Sequence, residues 1–200
     1  MRTVDPEKHE ARRRQILEAA ALCFARRGFH QTRTAEICAE AGMSPGNVFH
    51  YFAGKDDIIA AIVDEAGSEM AARFALTEGE TDAIAAMMAR IDASLAQATD
   101  PLEARITLEV VAEAVRNPAM MDCVARNEAV RRTALAGLLE WGQAQGQLAA
   151  GLDIAAAVDW ILMLLDGYFD RAVIDPAFDT GGARTRLRAS ILHFLRGEAA

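Results

Sequence analysis

The chain has 200 residues, a formal net charge of −8, and a composition that is 52% hydrophobic but only 6% aromatic. That length allows one domain or two small ones with a substantial core, and the alanine-rich, aromatic-poor balance favours closely packed helices over a β-sandwich. The charged start MRTVDPEKHEARRR has no apolar stretch to act as a secretory signal. The strongly apolar run Trp160 to Leu165 is too short for a bilayer, and three cysteines without CxxC spacing suit a reducing compartment. A cytoplasmic protein with no membrane partner is expected.

In chain order, Ala11 to Arg27 reads as a first helix, with Ile16, Ala20, Cys23 and Phe24 as its apolar stripe and Gly28 as its stop. Thr32 and Thr34 both qualify as caps for a second helix that carries Ile37 and Ala41 on one face. Gly42 ends that helix. Ser44 then offers an N-cap hydroxyl, and Pro45 takes the first helical position, where a missing N–H costs nothing. Met43 and Val48 occupy the two positions of a hydrophobic staple. Stop and start signals about one residue apart force two helices to cross steeply, as in a helix-turn-helix. The third helix covers Pro45 to Phe52. Gly54-Lys55-Asp56-Asp57 opens a fourth, continued by Ile58, Ile59, Ile62 and Val63 to about Leu76.

Further helical segments are Thr81 to Ala98, Pro101 to Arg116, Pro118 to about Gln145 (capped by Asn117), Ile154 to Ile174 (capped by Asp153, stopped by Asp175-Pro176) and Ala183 to Arg196. No segment reads as a strand and no internal repeat is found. The expected fold is all-α, with about nine to ten helices. A three-helix helix-turn-helix DNA-binding domain would occupy residues 1–55. A larger helical ligand-binding and dimerisation domain would occupy 56–200, with the fourth helix, about 55–76, linking the two.

Gly42-Met43-Ser44-Pro45-Gly46 also satisfies G-x-S-x-G, the pattern of a hydrolase nucleophile. That motif needs a preceding strand, whereas TAEICAEA has helical period and alanine content. It also needs the N–H of the residue after the serine, and Pro45 has none. No E-x-x-H pair, metal-ligand cluster or triad appears elsewhere, so no enzyme, catalytic residue, metal or cofactor is expected. His9, His30, His50 and His193 show no ligand spacing. Charge points instead to DNA. Residues 1–55 hold nine Lys and Arg against six Asp and Glu, while residues 56–200 hold twelve against twenty-three. A positive end on an acidic body can approach phosphates selectively.

Three stretches, RRRQILEAAALCFARRGF, TAEICAEAGMSPGNVFHYF and GKDDIIAAIVDE, together resemble the DNA-binding domain of the TetR family of bacterial transcriptional repressors over residues 12 to 65. The remaining helices are similar to that family's regulatory domain in count and length, with a general shape like that of its choline-responsive and multidrug-efflux branches. The resemblance implies a homodimer whose third helices enter major grooves of a double-stranded operator, and a small-molecule inducer that lowers DNA affinity. The alternative is a helical small-molecule-binding module that does not bind duplex DNA.

In that geometry Ser44, Pro45, Gly46 and Asn47 form the tip of the recognition helix, and Asn47 can pair with adenine N6 and N7. His50 and Tyr51 lie one turn on, and Thr32, Arg33 and Thr34 can grip the backbone. Lys55 matches the family's phosphate-binding lysine. Phe49 stands where the family usually has a tyrosine whose hydroxyl contacts a phosphate. The competing assignments are a solvated helix start for Asn47, a core aromatic for Tyr51 and a solvated charge for Lys55.

Met87, Met88, Ile91, Val111, Val115, Trp141, Trp160, Met163 and Tyr168 are candidates to line a ligand pocket or the plain core. Glu109, Glu113, Asp159 and Asp166 lie on apolar helices and would suit a cationic ligand. The helices from Pro118 and from Ile154 are the candidate dimer elements.

Overall fold

The computed structural model describes residues 5–75 and 79–197, which form nine α-helices and no strand. They are α1 (Pro6–Arg27), α2 (Thr34–Glu40), α3 (Pro45–Tyr51), α4 (Lys55–Phe74), α5 (Ala83–Gln97), α6 (Pro101–Ala114), α7 (Pro118–Ala144), α8 (Ile154–Ile174) and α9 (Thr180–Arg196). Most bounds lie within two residues of the sequence reading. The end expected for the fourth helix, Leu76, lies outside the described residues.

Two helices start earlier than expected, each at an aspartate. Asp5 accepts from the Lys8 N–H and Pro6 takes the next position, so α1 gains a full charged turn before its apolar stripe begins. Asp179 accepts from the Gly182 N–H at 2.9 Å, which draws Gly181 and Gly182 into the first turn of α9.

The chain divides into two compact units. The first comprises the N-terminal part as far as Ala66 together with Arg105–Asn127, and the second comprises Gly67–Ala104 and Glu128–Ala200. In the first unit Ile16, Ala20 and Phe24 of α1 are fully buried, as are Ile37 of α2, Val48 of α3 and Ile58 and Ile59 of α4. The four-residue spacing of Ile16, Ala20 and Phe24 is the helical period turned inward. The α2 terminus is a complete Schellman motif. Met43 N–H donates to Cys38 O and Gly42 N–H to Ala39 O, with Gly42 at φ +63°. Gln15 of α1 adds a 2.8 Å bond to Ala41 O.

In the second unit Met87, Ile91 and Leu95 of α5, Leu135, Leu138 and Leu139 of α7, Ile161 of α8, and Ile191 and Leu195 of α9 make the core. Asp92 on α5 receives Arg184 at 3.0 Å and also Arg188, pinning α9 to α5. Gln147 satisfies the start of α5 twice, donating to Thr81 O at 2.8 Å and accepting from Ala83 N at 2.6 Å.

Candidate nucleic-acid interface

The helix-turn-helix is built by the caps that the sequence announces. Ser44 Oγ accepts from the Asn47 N–H at 3.3 Å, and Pro45 follows it as the first helical residue. From that start α3 presents Pro45, Gly46, Asn47, Phe49 and His50 to solvent, while Val48 is fully buried and Phe52 nearly so. A Cβ added at Gly46 would meet open space, so backbone can be approached closely there. Phe49 is 52% exposed, a large apolar ring on the same outward face.

Tyr51 is half-buried. Its ring lies 4.6 Å from that of His9 and 5.4 Å from that of His50. His9 sits on the turn that Asp5 and Pro6 add to α1. No sequence signal links it to Tyr51, because the two are far apart in the chain and meet only in the fold. Arg33 is exposed and forms the N-cap of α2, with its N–H held by Glu36 Oε2 at 2.9 Å. Neither threonine caps that helix. Thr34 is half-buried. Thr32 is 2% exposed, with its hydroxyl 2.8 Å from Gly28 O and 3.2 Å from Cys23 O. A buried hydroxyl takes the partners nearest at hand, here the carbonyl of Cys23 and that of Gly28, which also accepts from the Thr32 N–H. Thr32 therefore faces the core and offers no group to a duplex.

Lys55 is also engaged internally. Its ammonium donates to Phe29 O, His30 O and Thr32 O at 2.9, 3.2 and 3.4 Å and lies 4.6 Å from the centre of the Phe29 ring. Arg26 and Arg27 pair with Glu40 and Glu36 and so tie α1 to α2.

An exposed, proline-led helix behind a Schellman stop is the geometry of a groove-reading element. Residues 16–62 match the family model described as bacterial regulatory proteins, tetR family, and residues 81–196 match that of the BetI-type transcriptional repressor, C-terminal. The chain belongs to the TetR family of bacterial transcriptional regulators. It is 38% identical over 82 residues to the HTH-type transcriptional regulator BetI of Brucella anthropi, a match covering 39% of this chain and 42% of that regulator's length. It is 25% identical over 155 residues to UidR of Escherichia coli K12, covering 78% of each. Among solved structures, Salmonella enterica GusR superposes with a TM-score of 0.77 at 25% identity, covering 92% of this chain and 95% of that one.

The other residues singled out in this TetR-family chain fall into place less uniformly. Met87, Met88, Ile91 and Tyr168 belong to the closed core of the second unit, and Tyr168 donates its hydroxyl to Thr180 O at 3.3 Å. Trp141 and Trp160 are half-buried there, the latter 4.5 Å from the Phe194 ring. Met163 is exposed, and Val111 and Val115 are exposed members of the first unit.

The acidic residues expected to meet a cation already have partners. Asp166 pairs with Arg131 at 3.0 Å, and Asp159 pairs with Arg132. Glu109 Oε2 accepts from the Phe29 N–H at 2.7 Å, and Glu113 lies 2.9 Å from His30 Nε2. All three cysteines are buried and unpaired. Burial and then Asp64, whose Oδ1 lies 3.1 Å from Sγ, push the Cys123 thiol up to about 11, and burial raises Cys23 as well. Among the described residues no helix is long and apolar enough to cross a membrane.

Proposed function

We propose that this chain is a cytoplasmic, ligand-responsive repressor that binds a near-palindromic operator as a homodimer and is released by a small-molecule inducer. The observation that carries the reading is the outward face of α3: Pro45, Gly46, Asn47, Phe49 and His50 are all exposed beside a fully buried Val48. A helix that spent its polar face on its own core could not enter a groove.

The tip of α3, from Ser44 to Asn47, would meet base edges, with Asn47 reading adenine. His50 and Tyr51 would lie against bases or phosphates, and Arg33 and Thr34 against the backbone. Neither Arg nor Lys occurs in α3, so apolar contact with thymine methyls and DNA shape would carry much of the specificity. Dimerisation through α8 and the second unit's part of α7 is supported by their exposed apolar residues Met163, Ile174 and Val130. A dimer would set its reading heads about 34 Å apart or a multiple of that distance. An inducer that weakens DNA binding must in turn bind the DNA complex more weakly by the same factor.

A gel shift with the gene's own upstream intergenic duplex, run against a random-sequence duplex, tests the reading. Selective retardation at a site with two related half-sites is expected. Equal affinity for both duplexes, or none for either, refutes it.

A further inference from the structure

We infer that Lys55 and Glu109 are positioning residues that clamp the connection between α1 and α2 from two sides, and that Lys55 does so instead of binding a DNA phosphate. The connection runs from Gly28 to Arg33. Its ends are bonded to the flanking helices, Gly28 N–H donating to Phe24 O and Arg33 O accepting from the N–H groups of Glu36 and Ile37, while the Phe29 N–H and the carbonyls of Phe29, His30 and Thr32 turn to side chains. Glu109 of α6 takes the Phe29 N–H at 2.7 Å. Lys55, the first residue of α4, takes the carbonyls of Phe29, His30 and Thr32 and covers the Phe29 ring. An ammonium has three donors, and here three carbonyls claim them. These carbonyls follow directly on the C-terminal end of α1, where the helix dipole also favours a cation.

Reaching a phosphate would cost Lys55 all three bonds. Glu113 of α6 is buried beside this connection, with Oε1 accepting from Asn117 Nδ2 at 3.3 Å and Oε2 2.9 Å from His30 Nε2. The clamped connection leads directly into α2, and the Gly42 turn fixes α3 on α2, so the clamp sets the aim of the reading helix. Loosening it lowers the fraction of molecules competent to bind, and apparent affinity falls by that fraction.

The inference rests on the DNA-binding reading for its effect on affinity, but the clamp itself can be measured without DNA. The test uses the full chain carrying Lys55→Met, Glu109→Ala or both, with Lys55→Gln and Glu109→Gln as milder forms should either lose helicity. Two quantities are read: amide hydrogen exchange of residues 29–33, and affinity across a salt series for a short duplex selected from a random pool by the unaltered chain. Each single variant should speed exchange at 29–33 and weaken binding about tenfold without changing the salt slope. The double variant should cost less than the product of the two singles, because both act on one loop. Glu109→Gln, which keeps an acceptor oxygen, should restore part of the protection. A salt slope shallower by about one in Lys55→Met would make Lys55 a phosphate ligand and overturn the inference. Unchanged exchange at 29–33, or unchanged affinity with faster exchange, would overturn it equally. Failure of the unaltered chain to bind any duplex would sink the DNA reading, while the exchange result would still decide the clamp.

Discussion

Gly28→Ala should destabilise the first unit by about 2–4 kcal/mol, and the figure can be built from two contributions. Gly28 sits at φ +78° and ψ 159°, a region that is essentially glycine's alone, and forcing a Cβ there costs about 1–3 kcal/mol. The same Cβ would stand 3.1 Å from Glu109 Oε1 and 3.3 Å from Oε2. The carboxylate must then withdraw by a few tenths of an ångström and weaken its bond to the Phe29 N–H. A hydrogen bond to a charged group contributes about 1.5–3 kcal/mol, of which part is forfeited, so about 1 kcal/mol is added. Against a total stability of about 5–15 kcal/mol this is a large fraction. The probe matters, because Trp141 and Trp160 both lie in the second unit and indole fluorescence would report the wrong half. Urea titration followed by hydrogen exchange at the buried amides of Ile16 to Phe24 reads the right one. Repeating the substitution in a Glu109→Ala background should leave only the backbone strain. A loss under about 0.5 kcal/mol, the range of an ordinary surface change, would refute both the strain and the latch.

Asn47→Ala should relax base preference by about 1–3 kcal/mol at one position of each half-site while leaving the salt slope intact, as a selection from random duplexes would show. Phe49→Tyr should strengthen binding to all sequences alike, because the 52% exposed ring would gain a hydroxyl within reach of a phosphate, and a titration against specific and random duplexes checks this. Ser44→Ala removes the oxygen that accepts from the Asn47 N–H and should cost about 1 kcal/mol in a thermal or urea melt. Iodoacetamide should leave Cys123 unmodified at pH 8, where its thiol is buried and protonated. The native thiol titrates near 11 against 9.0 ordinarily, so the native state holds the extra proton between those values and stability should fall as pH rises from about 9 to 11. That fall should be reduced in Cys123→Ala.

What the sequence made legible were local signals. Ser44-Pro45, Gly42 and Asp153 each act within four residues of themselves, so cap chemistry alone placed α3, the turn before it and the start of α8. Two starts were lost to composition. Asp5-Pro6 stands before a charged turn with no apolar stripe, and Asp179 stands before two glycines that ordinarily count against a helix. Packing decides α9 in spite of them, since Leu187, Ile191 and Leu195 are buried and Asp92 holds two of its arginines.

The remainder depends on partners far apart in sequence. Thr32 looked like a cap because threonine suits one, yet its hydroxyl serves carbonyls from the end of α1. The match to the family's lysine assigns Lys55 to a phosphate, with a solvated charge as the alternative, and neither reading can see the three carbonyls more than twenty residues away to which it donates. Glu109 and Glu113 were the clearest case. A carboxylate on an apolar helix face has to be paired, because leaving it buried alone costs more than the fold can offset. That much is readable from one segment. Whether the pairing group is a ligand's cation or an N–H and an imidazole of the chain's own loop, eighty residues away, depends on which elements the fold brings together. The same residues that suggested a pocket thus become the link between α6 and the reading head.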